Sequence, residues 1–162
     1  MLRIALGLIV ATLSAAPAFA QAAAPAQPPA PAQPAAAAPS PFVFNGDGGV
    51  ILNFVKADKT ADFEMALGKL KDALAKSEKP ERKPQAAGWK VFKASEPGPN
   101  GAAIYVFIID PVAKGAEYSV GNILVEAFGA EGQTIYKTYS DAYANPAIGA
   151  LLHLTKVIEL GK

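Results

Sequence analysis

The sequence predicts a small α+β domain, and three observations carry that prediction. Two short segments, Val50–Lys56 and Ala102–Ile109, are β-forming and apolar on both sides. Two longer segments, near 60–77 and 118–143, carry apolar residues at helical spacing. Between them, Gly, Pro, Asn and Asp cluster where the chain has to turn.

The turn cluster Asn45-Gly46-Asp47-Gly48-Gly49 precedes the first strand, Val50–Lys56. No Lys-Ser or Lys-Thr pair follows it, so it is not a phosphate-binding loop. Asp58 or Thr60 can cap the helix that follows, where Phe63, Ala66, Leu67, Leu70 and Leu74 form one apolar stripe. Lys69, Lys71, Asp72 and Lys76 lie off the stripe, and the helix is expected to end near Ser77, before Pro80. Lys79, Arg82 and Lys83 interleave with Glu78 and Glu81, the composition of a solvated loop.

A second strand is expected over Gly88–Ala94, around Trp89, Val91 and Phe92. The turn at 96–101 joins it to Ala102–Ile109 as a hairpin, and Asp110-Pro111 stops that third strand. The second helical region, Tyr118–Tyr143, should break around Gly129–Gly132. Ile123, Leu124, Ala127 and Phe128 form its first stripe; Ile135, Tyr136, Tyr139 and Tyr143 form the second, which reads as packing. Asn145-Pro146 ends the region, leaving Leu151–Leu160 as the last strand. The resulting order is β-α-β-β-α-β, expected to give one four-stranded antiparallel sheet, order 4-1-3-2, with its helices on one face.

Helices on one face cannot cover the other, yet the first and third strands are oily on both. An exposed apolar layer of that size calls for a partner, and twofold pairing of two sheets is the simplest one. The expected assignment turns Val50, Leu52, Phe54, Ile104, Val106, Ile108, Leu152, Leu154 and Ile158 toward the helices. Asn53, Trp89, Val91, Tyr105, Phe107, His153 and Thr155 then line an apolar chamber on the opposite side, between subunits.

With these two-sided strands and this element order, the stretch Val50–Leu160 resembles the dimeric α/β-barrel superfamily. Its small ferredoxin-like members, which include antibiotic-biosynthesis-type monooxygenases and stress-response barrel proteins, pair their sheets back to back. Gly49–Val55, Ala87–Ala94 and Tyr105–Pro111 also look like segments of small exported bacterial proteins of unassigned role. The resemblance implies a ferredoxin-like fold and a homodimer. Haem-degrading members use an Asn on the first strand, a Trp, and an iron-ligating His on a helix. Asn53 and Trp89 supply two of those residue types, but His153 falls on the expected last strand. No haem or other cofactor is therefore expected.

The first 20 residues set the expected address. Arg3 precedes an apolar run from Ile4 to Leu13, then Pro17 and Ala18-Phe19-Ala20, the layout of a cleaved signal peptide. The run is too short to span a bilayer, which takes about 20 residues. Residues 21–41 are rich in Ala and Pro and read as a disordered linker, leaving 42–162 as the folded domain. The protein is expected in the periplasm or outside the cell.

Composition narrows the function classes. Arg3 is the only charge in 1–20, so the remainder balances 14 basic against 14 acidic residues. Such a chain lacks the basic surface of a nucleic-acid binder and the polybasic grip of a lipid binder, and membrane insertion is not expected. No cysteine and one histidine, His153, leave no metal-ligand set and no thiol chemistry. No Gly-x-Ser-x-Gly elbow or nucleotide-binding glycine pattern occurs. The expected function is a non-catalytic exported dimer that binds a small apolar ligand near Asn53, Trp89, Tyr105, Phe107 and His153. The alternatives are a cofactor-independent monooxygenase using Asn53, Trp89 and His153, and an envelope interaction module displayed on the Ala/Pro linker.

Overall fold

In the computed structural model, which describes residues 40–161, the chain folds as an α+β domain. The signal segment expected at 1–20, and all but the last two residues of the linker, lie outside the described residues. The strands are β1 (Gly48–Val55), β2 (Trp89–Lys93), β3 (Ala103–Ile109) and β4 (Tyr143–Leu154). The helices are α1 (Thr60–Lys76), α2 (Arg82–Gly88), α3 (Val120–Phe128) and α4 (Ala130–Asp141). The four strands form one antiparallel sheet ordered β2-β3-β1-β4, or β4-β1-β3-β2 from the other edge.

The register fixes which side chains share a face. Ile51 pairs with Phe107, Asn53 with Tyr105 and Val55 with Ala103, all on the side facing the helices. There they meet Phe63, Leu70, Ile123, Leu124 and Tyr139 in the core. Phe63 sits at its centre: its ring stacks on Tyr139 at 4.8 Å and packs on Tyr105 at 4.7 Å, with Tyr143 edge-on at 5.6 Å. Val50, Leu52, Ile104, Val106, Ile108, Phe92 and Leu152 point the other way, and no helix covers them.

The expected facing is therefore reversed. Asn53, Tyr105 and Phe107 lie under helices of their own subunit, and so does Ile51. The physical reason lies in what the helices offer to that face: the Phe63 ring of α1 packs on Tyr105 and Phe107, and Tyr143 donates to the Asn53 amide, which would otherwise be an unpaired buried group. His153, opposite Gly49, joins the helix-side residues as well, while Leu152 and Leu154 lie on the uncovered side.

The last strand and the stretch before β2 also differ from expectation. The last strand starts at Tyr143 and ends at Leu154, not Leu151–Leu160, so Asn145-Pro146 lies inside it. Proline is tolerated there because β4 is an edge strand with one side of its backbone unpaired. The stretch expected as a solvated loop contains α2, whose Arg82 is 6 % exposed and whose Gln85 is fully buried. Arg82 binds both carboxylate oxygens of Glu126 on α3, at 2.6 and 3.3 Å, and Gln85 at 2.7 Å. The second helical region breaks at Gly129, as its composition predicts, into α3 and α4.

Candidate functional site

Between the helix-covered face and α4 lies a cavity of about 230 Å³. Its walls are Ile51 and Asn53 from β1, Phe107 from β3, Tyr118 to Gly121 at the start of α3, Tyr136 and Tyr139 from α4, and Tyr143 with Ile148 from β4. The local folding that delivers them is simple. Tyr136 and Tyr139 are one helical turn apart, and the α4 to β4 turn swings Tyr143 back over the same space. The Arg82–Glu126 pair and a bond from Gln85 to the Glu117 carbonyl, 2.9 Å, hold the loop that carries Tyr118.

Asn53 is 1 % exposed in an otherwise apolar strand, and its amide is fully engaged. Its Nδ2 donates to the carbonyls of Ile51 and Tyr105, each at 3.3 Å, which fixes Oδ1 as the acceptor. Tyr143 donates to that Oδ1 at 2.8 Å. The Tyr139 and Tyr143 hydroxyls lie 2.5 Å apart, and since the Tyr143 proton is committed to Asn53, Tyr139 is the donor. The chain Tyr139, Tyr143, Asn53, Tyr105 carbonyl therefore runs in one direction. Burial pushes the Tyr139 and Tyr143 phenols well above their usual value, so both stay protonated and neutral. Tyr136, at the cavity mouth and 42 % exposed, makes no hydrogen bond among the described residues.

Of the five residues expected at a site, Asn53 and Phe107 line this cavity and the other three do not. Tyr105 directs its hydroxyl to Glu64 of α1 at 2.5 Å, beside Lys93. Trp89 packs edge-on against Phe107 and Tyr118, its indole Nε1 buried without an acceptor among the described residues. It lines a separate groove between α1 and β2. His153 lies against the Phe44 ring, 4.7 Å between centroids, away from the cavity. Asn53, Trp89 and His153 thus share a sheet face but not a site.

The residues that sequence reasoning missed are Tyr139, Tyr143 and Tyr136, taken there for a packing stripe. The available signal was Asn53 itself, since a buried amide requires a partner. No cavity-lining side chain carries a carboxylate, ammonium, guanidinium or imidazole group. Among the described residues no group of three or more His, Cys, Asp or Glu is placed to hold a metal ion, and no helix is long and apolar enough to cross a membrane. Comparison of the chain with family models, with curated proteins and with solved structures finds no match.

Proposed function

We propose that this is an exported ligand-binding domain of the ferredoxin-like, dimeric α/β-barrel kind, which holds a small neutral molecule in the tyrosine-lined cavity and pairs with a second copy through its uncovered sheet face. The observation that carries the binding reading is the directed chain from Tyr139 through Tyr143 to Asn53. It spends both phenolic protons inside the protein, while Tyr136 at the mouth makes no hydrogen bond among the described residues and can donate to a guest. The walls are otherwise apolar and aromatic, which suits an apolar body with one hydroxyl or carbonyl group.

Size narrows the class further. A dry cavity of about 150 Å³ accepts benzene. The volume here, about 230 Å³, fits a substituted single ring. Neutral phenols at the wall make poor proton acceptors for catalysis, which supports binding over turnover.

A titration with a substituted phenol such as thymol tests the reading. Ile148→Trp, at a lining position 37 % exposed and opposite Asn53 in the sheet, fills the cavity from its rim. Binding by the unmodified protein and at least tenfold weaker binding by Ile148→Trp, in a variant whose circular dichroism shows it still folded, is the expected result. Equal binding by both proteins, or by neither, overturns it.

A further inference from the structure

Beyond β4 the chain continues through residues 155–161 without regular structure. Val157 is 94 % exposed, Ile158 71 % and Leu160 91 %. The Lys156 amide donates to the Asp47 carboxylate at 3.0 Å, and Val157, Ile158 and Glu159 line a shallow cleft with Pro111, Val112 and Lys114. Three large apolar side chains in so short an arm stay mostly in water within their own subunit.

At the opposite edge of the sheet, α1 and β2 flank an open groove of about 500 Å³. Leu67, Leu70, Leu74, Trp89 and Val91 make it apolar, and Lys71 stands at its rim without an ion-pair partner among the described residues. Gly68 forms part of its wall in the middle of α1, and a Cβ there would meet nothing within 4 Å. Glycine inside a helix costs about 1 kcal/mol relative to alanine, and nothing in the subunit's own packing requires it here. Its effect is to leave the groove wall bare.

We propose that the arm 155–161 of one copy reaches around the β2 edge of a second copy and places its apolar end, from Ile158, in that copy's α1–β2 groove. The inference rests on the sheet pairing proposed above and adds the residues that lock it. The chemistry matches: an apolar arm carrying Glu159 meets an apolar trough with Lys71 at its edge.

The topology matches as well. Leu154 lies opposite Gly48, His153 opposite Gly49, Gly49 opposite Ile109, and Ile109 opposite Trp89. The arm therefore leaves the sheet at the end where β2 begins. A twofold axis parallel to the strands sets the β4 edge of one copy over the β2 edge of the other. The groove opens on the helix side of β2, so the arm crosses the gap of about 10 Å between stacked sheets and passes the β2 edge, and seven extended residues span about 23 Å. The arm together with Phe92, Leu152 and Leu154 leaves on the order of 700 Å² of apolar side chain in water, near the roughly 800 Å² per partner of a standard interface.

The chain contains no cysteine, so engineered pairs report cleanly. Gly68→Cys combined with Ile158→Cys is expected to give a disulfide-linked dimer under mild oxidation, with neither single variant doing so. As an independent measure, Val157→Asp with Leu160→Asp should weaken the dimer at least tenfold in sedimentation. A cross-link within one chain, equal cross-linking by a single variant, or no cross-link in a protein that is still dimeric each overturns arm docking and leaves sheet pairing intact. A monomer at all concentrations overturns both.

Discussion

Asn53 decides more about the interior than any other single residue. A buried amide costs little while its bonds are made, but leaving one partner unmade costs about 1–3 kcal/mol. Tyr143→Phe removes the one side chain among the described residues that donates to Asn53 Oδ1 and keeps the ring packed on Phe63. The expected outcome is a loss of about 1–3 kcal/mol, read as a lower melting temperature, with near-native circular dichroism.

Glu126 offers a second test at this scale. The Arg82 guanidinium bonded to it, helped by Lys79, holds its carboxyl down at about 2 against an ordinary value of 4.5. The folded value is depressed, so the pair's contribution is complete above the ordinary value and is lost as pH falls toward 2. Melting curves in acid should show a steeper decline for the native protein than for Glu126→Gln. Equal slopes would remove the pair from the account.

Of these residues, only Asn53 was legible as a site residue in the sequence, as the lone amide of an apolar strand. Its partner Tyr143 is 90 positions away, and no local pattern connects the two. Arg82 was misread because a basic residue among acidic ones has the composition of a solvated surface.

At the scale of elements, what could be read followed the strength of the periodic signal. The stripe of α1 and the Gly129 break between α3 and α4 carry their own punctuation and were readable. The helix α2, Arg-Lys-Pro-Gln-Ala-Ala-Gly, has no apolar stripe, because a buried guanidinium and amide anchor it in place of aliphatic side chains. The start of β4 was hidden by a proline that only an edge strand accepts.

Helix crossing gives this scale its prediction. A Cβ on Gly132 would fall 2.2 Å from the Leu124 carbonyl oxygen, so α4 can lie against α3 only with glycine there. Gly132→Ala should force the two helices apart at a cost of about 1–3 kcal/mol, measured by chemical denaturation. It should also weaken thymol binding, since α4 carries two walls of the cavity.

For the whole molecule, the sequence made both sheet faces apolar and offered no way to choose between them. Aliphatic and aromatic residues score alike as hydrophobic, and the choice turned on long-range partners, Phe63 against Tyr105 and Tyr143 on Asn53, that no local pattern displays. Neighbours on β3 now separate the two roles. Phe107 is 1 % exposed beneath α1, whereas Val106 faces the uncovered side. Val106→Lys should shift the protein from dimer to monomer in light scattering and leave the subunit folded, whereas Phe107→Lys should prevent folding. A fully dimeric Val106→Lys protein would rule out pairing through this face.

The phenol chain also bears on the surroundings in which such a protein would work. An imidazole or carboxylate in the cavity wall would tie retention of cargo to external acidity. Tyr139 and Tyr143 keep their protons far into the alkaline range, so a neutral guest should be held equally well from about pH 5 to pH 9. A carrier built this way keeps its load through swings in acidity and gives it up only by dilution, by heat or to a tighter acceptor.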